Sequence, residues 1–273
     1  MPIDSKRNPR PDNSVSYDQF VDPEDNTARV YGAGRSHGRG KDELRPLYVR
    51  LGTTLHAQGS CYLELGATKV SAAVYGPREV ARRSEFSTSG QLSCELRFAP
   101  FAGRRRRGHL PDDQQRELSQ TLRTAVEPAV CLHEFPKSSV DVFVHVLQDD
   151  GGALAAAITA AGAALADANV PMYDLVTAAA LRHSGGADLM DPDGGDPAPP
   201  ADPEPDGGQF SHVTVGYLTQ LQQVSCLYSE GLVSAAALNS SVRSLVTACQ
   251  QLYVVVREKL LKKAGRPTAN GTS

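Results

Sequence analysis

The chain has 273 residues, 40% hydrophobic and 22% charged, with a formal net charge of -3. That is apolar material for one large domain or two small ones, and the near-neutral balance carries no chain-wide attraction for nucleic acid. No apolar run of about 18 residues is present and the first residues lack an apolar core, so neither a membrane span nor a secretory signal is expected.

The opening residues, through "YGAGRSHGRGKDE", are polar, glycine-rich and without apolar pattern, so 1–43 is expected to be a flexible tail, with order beginning near Arg45. Glycines in "VYGAGRSHGRG" have nucleotide-loop spacing, but no strand precedes them and no helix follows, so a dinucleotide site is not expected there. "GSCYLELGATKVSAAVYGP" holds two apolar runs about Gly66-Ala67 and predicts a hairpin. "LSCELRFAP" alternates, with Leu92, Cys94, Leu96 and Phe98 on one face and Ser93, Glu95 and Arg97 on the other.

Leu118, Leu122, Ala125 and Val126 form a helical stripe that Pro128 should bend or end. "VDVFVHVLQ" puts four valines on one side and Phe143 and Leu147 on the other, which predicts a strand buried on both faces. Ala153 to Asn169 reads as a helix of small residues that lets neighbours approach closely. Residues 185–209 are rich in proline, glycine and aspartate, and are expected to be an acidic loop without a packed element. Strand-like alternation then returns at "FSHVTVGYLTQLQQVSCLYSEG". A long amphipathic helix follows, carrying Leu238, Val242, Leu245, Cys249, Leu252, Val256 and Leu260 into basic Lys259, Lys262 and Lys263 before Gly265; 264–273 is a second tail. The cysteines, Cys61, Cys94, Cys131, Cys226 and Cys249, are an odd, scattered set without a C-x-x-C pair, and read as small hydrophobes rather than disulfides or a metal site.

Taken in order, "GSCYLELGATKVSAAVYGPRE", "FAPFAGRRRR", "RELSQTLRTAVEPAV", "DDGGALAAAITAAGAALADANVPMYDLV" and the terminal helix resemble the ribonuclease PH-type domain family, over roughly Arg45 to Leu261. Within that family the "FAGRRRR" run and the degenerate "GGALAAA" turn resemble the ring subunits of the eukaryotic RNA exosome. The resemblance implies an α+β ribonuclease PH-like fold over residues 44–263, two βαβα-type halves with mixed sheets and helices packed outside. It also implies assembly into six-domain rings with other such subunits, contact with cap proteins and RNA, and residence in nucleus, nucleolus and cytoplasm. No cofactor, metal or membrane partner is implied.

Active members of the family are phosphorolytic 3′-to-5′ exoribonucleases. At their strand-to-helix turn, Gly-Gly is followed by a small hydroxyl residue and an arginine that hold phosphate. Here Gly151 and Gly152 are followed by Ala153 and Leu154, which cannot neutralise an anion. The aspartates that active members carry after the inserted loop have no counterpart in "QFSHV"; Asp202, Glu204 and Asp206 lie in the loop, and His212 reads as a structural strand histidine. The expectation is therefore a non-catalytic ring subunit. The alternative is an active phosphate-dependent 3′-to-5′ exoribonuclease, which a carboxylate within reach of the Gly151-Gly152 turn would favour. A free-standing RNA-binding module is a third reading.

Candidate RNA contacts are Arg104, Arg105, Arg106 and Arg107, a glycine-flanked run fit to grip phosphates, although a solvated loop or a protein-docking loop explains it equally. Arg82 and Arg83, with Arg78 before them, follow the family's channel-side segment, and Arg116 matches a basic helix-start position. No stacking pattern of aromatics accompanies these arginines, so base-specific reading is not expected.

Overall fold

The computed structural model describes residues 39–80, 87–103, 106–108, 110, 112–184, 187–194 and 210–265. All of them belong to the compact unit Gly34–Ser273. The predicted tail therefore lies outside the described residues up to 38.

The hairpin forms as its pattern requires. β1 (Leu47–Leu51) leads to β2 (Gly59–Leu65) and β3 (Thr68–Glu79), with Gly66 at the turn in the left-handed region, φ 58°. β4 (Gln91–Phe98) and β5 (Ser138–Gln148) complete a five-stranded sheet in the order β1-β2-β3-β5-β4. It is mixed: β4 runs parallel to β5, and every other pairing is antiparallel. A second sheet joins β6 (Val176–Ser184), β7 (Ala187–Met190), β8 (Phe210–Leu218) and β9 (Gln223–Gly231) in the order β7-β6-β8-β9, antiparallel throughout.

Among the described residues, three α-helices fill the layers. α1 (Asp113–Val126) buries Leu118, Leu122, Ala125 and Val126, and a 3-10 turn with Pro128 ends it. α2 (Ala153–Asp167) packs against β2 and β3 of the first sheet and β6 and β8 of the second. α3 (Ala235–Ala264) lays Leu245, Ala248, Cys249 and Leu252 on Val213, Val215 and Tyr217 of β8. Helices packed outside the sheets describe α3 but not α2, which lies between them. Its small residues make this possible. A Cβ at Gly162 would stand 2.7 Å from Val176 O, and one at Gly59 would stand 2.3 Å from Ala164 O. The backbones approach as closely as they can, and α2 is buried from Ala153 through Leu165.

Two expectations need correction. β5 is buried on its valine face only. Phe143 and Leu147 are half-buried and His145 is exposed, and among the described residues no helix covers that face of the strand. Phe143 instead meets Tyr75 edge-on, centroids 5.9 Å apart. The acidic loop, moreover, does not begin at residue 185. β7 occupies Ala187–Met190, and Leu189, Met190, Asp191 and Asp193 are buried. Apolar Leu189 and Met190 hold the strand to β6, and arginines from the chain's start neutralise the two aspartates. Residues 195–209 lie outside the described residues.

Candidate phosphate turn and basic surface

β5 delivers the chain into Asp149-Asp150-Gly151-Gly152, and α2 begins at Ala153. Both glycines have positive φ, 91° and 66°. A Cβ on Gly151 would stand 2.5 Å from Pro192 O, so the turn needs glycine for space as well as for conformation. Asp149 Oδ1 accepts from Gly151 N at 3.1 Å. Thr68 Oγ1 donates to Gly151 O at 2.8 Å and accepts from Asp150 N at 3.1 Å. The turn is fixed by its neighbours without any ligand.

An arginine already fills the cradle. Arg45, 6% exposed, donates from Nη2 to Gly151 O at 3.0 Å and from Nη1 to Asp150 O at 3.1 Å. Its Nε and Nη2 fork onto Asp191 at 2.9 and 2.6 Å. Arg39 forms a parallel pair with Asp193 at 2.9 Å. The carboxylate that would favour an active reading is therefore present, since Asp191 Oδ1 would stand 3.5 Å from a Cβ on Gly152. Both of its oxygens, however, are engaged by Arg45. Asp149 and Asp150 line a neighbouring cavity of about 650 Å³, whose cation is Lys69. Two carboxylates beside one ammonium disfavour an incoming dianion.

The side chains that replace the anion ligands are core residues. Ala153 is 9% and Leu154 7% exposed, both in the main apolar cluster. Gly152 caps α2 in the left-handed conformation without a side-chain cap. No carboxylate occupies the described start of β8. His212 there is pushed down to about 4 by burial and by the Arg182 guanidinium, so it is neutral at physiological pH and is not charged as a general acid would be. Asp202, Glu204 and Asp206 lie outside the described residues. Among the described residues no three His, Cys, Asp or Glu side chains group to hold a metal ion, and no helix is long and apolar enough to cross a membrane. All five cysteines are free, and burial pushes the thiols of Cys61, Cys94 and Cys249 up to about 12.

The basic candidates divide. Arg82, Arg83, Arg104 and Arg105 lie outside the described residues. Arg106 is exposed. Arg107 serves its own loop: its guanidinium lies over the Phe98 ring at 4.1 Å, and its N–H donates to Pro100 O at 3.0 Å. Arg116 is exposed and pairs with Asp113 at 2.8 Å. Arg78 forms an ion pair with Asp141 across β3 and β5. Sequence reasoning missed Arg39, Arg45 and Arg97. For Arg97 the signal was available, because the alternation of β4 already placed it on the exposed face.

The sequence profile of the 3′ exoribonuclease family, domain 1 (RNase PH), matches residues 43–171. The human exosome complex component MTR3 is 37% identical over 260 residues, 87% of this chain and 91% of that protein. The exosome complex component Rrp41 of Thermococcus kodakarensis is 36% identical over 84% of this chain and 89% of its own length. Among solved structures, rice Rrp46 superposes with a TM-score of 0.72 at 22% identity, covering 83% of this chain and all of that one. A chain of the Archaeoglobus fulgidus exosome with RNA bound to the active site gives 0.71 at 22% identity, over 86% of this chain and 95% of that one. Through these sequence relatives, in a fold that matches theirs, the chain belongs to the RNase PH family of 3′ exoribonucleases.

Proposed function

We propose that this chain is a non-catalytic subunit of an RNA exosome core ring. Residues 44–263 form the ring-building domain, which pairs with other RNase PH-like subunits, supports a cap protein and passes RNA without sequence preference toward a nuclease elsewhere in the assembly. Nucleus, nucleolus and cytoplasm are the locations that go with this role. The observation that carries the reading is the turn itself. Its anion ligands are replaced by buried Ala153 and Leu154, and its cradle is filled by Arg45.

The physical consequence is direct. Phosphorolysis needs a bound phosphate aligned with the terminal phosphodiester and cationic donors for the charge that develops. The Arg45 guanidinium is spent on Asp191 and two backbone carbonyls. RNA contact falls instead to exposed arginines, Arg106 and Arg116 among the described residues, with the remainder of the Arg104 to Arg107 run and Arg82 and Arg83.

The similarity to archaeal Rrp41 favours one other reading, an active phosphate-dependent 3′-to-5′ exoribonuclease. It would need phosphate ligands other than Leu154, from Arg78 or the Arg104 to Arg107 run. Phosphorolysis of radiolabelled poly(A) separates the two, with the chain alone and then with its ring partners, each partner inactivated in turn. No release of nucleoside diphosphate attributable to this chain is expected. Phosphate-dependent release that survives inactivation of every partner would overturn the proposal.

A further inference from the structure

The cavity of about 650 Å³ between the end of β5 and the loop after β4 is lined by Lys69, Phe101, Leu147, Asp149 and Asp150 among others. Its volume falls within the roughly 300–1,000 Å³ of small-ligand sites. Phe101 is 70% exposed, although burial of a phenyl ring is strongly favoured. The loop holds it there. Ala102, itself buried, donates its N–H to Ala99 O at 2.9 Å and accepts from Asp149 N at 2.8 Å. These bonds tie the turn to the end of β5 and carry Phe101, one residue earlier, on the cavity's rim. Arg107 N–H donates to Pro100 O at 3.0 Å, which brings Arg106 and Arg107 back to the same loop, Arg106 exposed.

The charges of the lining decide what can enter. Asp149 Oδ1 accepts from Gly151 N and Asp150 Oδ1 from Gly194 N. Among the described residues Asp149 Oδ2 has no hydrogen-bond partner and Lys69 forms no ion pair. A phosphate or an acidic peptide would meet two carboxylates. A basic side chain would meet Lys69 inside, with Arg106 and Arg107 on the adjoining loop. A flat neutral ring whose anionic backbone stays outside, against the arginines, meets neither obstacle. Such a ring stacks on Phe101, and an amino group on its edge donates to the Asp149 carboxylate.

We propose that Phe101 and this cavity form a nucleobase site for single-stranded RNA that favours bases with an exocyclic amino group, cytosine over uracil among the pyrimidines. Cytosine offers its amino group to Asp149 Oδ2, where uracil offers a carbonyl oxygen, a second acceptor. The inference rests on the RNA contact proposed above and adds to it one ring at one position. Passage along the arginines stays sequence-tolerant.

The test is binding of end-labelled oligocytidylate and oligouridylate of equal length to the full-length chain, read by fluorescence anisotropy. Oligocytidylate is expected to bind at least about threefold more tightly. Phe101→Ala should weaken oligocytidylate at least about fivefold, whereas Phe101→Tyr, which keeps the ring, should not. Asp149→Asn keeps the acceptor for Gly151 N and makes the other oxygen a donor, so it should abolish or reverse the preference. An unchanged melting temperature of Phe101→Ala shows that this variant is folded. Equal affinities in the parent chain, or a preference that Asp149→Asn leaves intact, overturns the proposal. A loss with Arg106→Ser that Phe101→Ala does not share overturns the base site alone and leaves the RNA contact standing. No binding of either oligomer overturns both. Saturable competition by Ac-Gly-Arg-Gly-NH2 that is lost in Phe101→Ala overturns the site in favour of a basic peptide.

Discussion

Arg45 and Asp191 stand 146 residues apart in sequence and are joined by three hydrogen bonds, from the Arg45 main-chain N–H and Nε to Oδ2 at 2.9 Å each and from Nη2 to Oδ1 at 2.6 Å. Both are buried. One pair thereby fixes the phosphate-type turn, the start of the first sheet and the end of β7.

Removal of one partner should be costly, because it strands the other charge away from water. Arg45→Met is expected to destabilise the chain by about 3–5 kcal/mol, read as a lower urea midpoint at unchanged slope. Arg45→Met combined with Asp191→Leu should recover a large part of that loss, since two apolar groups leave no charge behind. A double variant less stable than the single one would show that the pair does more than neutralise itself.

Leu154→Arg restores the side chain that the family's active turn carries, but at a position 7% exposed. The expected result is loss of stability of several kcal/mol by thermal unfolding, without phosphate-dependent release of nucleoside diphosphate from poly(A). Added inorganic phosphate should not raise the melting temperature of this variant, because the carboxylates of Asp149 and Asp150 precede the turn directly and disfavour a dianion beside it.

His212 gives a pH signature. Its folded pKa, about 4, lies below its ordinary value of 6.5, so the unfolded chain binds a proton more readily between those limits. Stability from this group is full above about pH 6.5 and declines as pH falls toward 4, by at most about 3 kcal/mol. His212→Gln should flatten that part of the urea stability profile against pH. An unchanged slope would remove His212 as its source.

RNA affinity should depend on salt through the arginine run. Replacement of Arg104 to Arg107 by serine is expected to weaken binding of a single-stranded oligomer about equally for all sequences. Each lost phosphate contact should lower the slope of log affinity against log salt by about 0.7. Arg107 is the exception within the run. Its substitution should also cost stability, because it covers the Phe98 ring.

The strands and helices were legible wherever a single face decided them. The Gly66 hairpin, the Leu92 to Phe98 alternation and the Leu118 to Val126 stripe all sit where their periodicity puts them. The Gly151-Gly152 turn was legible too, because few side chains fit it. Asp191 and Asp193 were not, since composition around them reads as solvated loop and their partners lie near the start of the chain. For the same reason the occupant of the cradle was invisible: nothing local to Arg45 says that it ends beside Gly151. The burial of β5 was overestimated because apolar residues on both faces do not reveal whether a layer exists to cover the second one.

The span between Arg45 and Asp191 also has a consequence in time. A nascent chain elongates at about 5–20 residues per second, so Arg45 leaves the ribosome on the order of 10 seconds before its carboxylate is made. During that interval the Arg45 guanidinium exists without the carboxylate that pairs with it. Closure of the first sheet's leading edge then waits on synthesis of the second half. Stalled chains ending before residue 191 should leave the Arg45 amide in rapid hydrogen exchange, and chains extended past β9 should protect it.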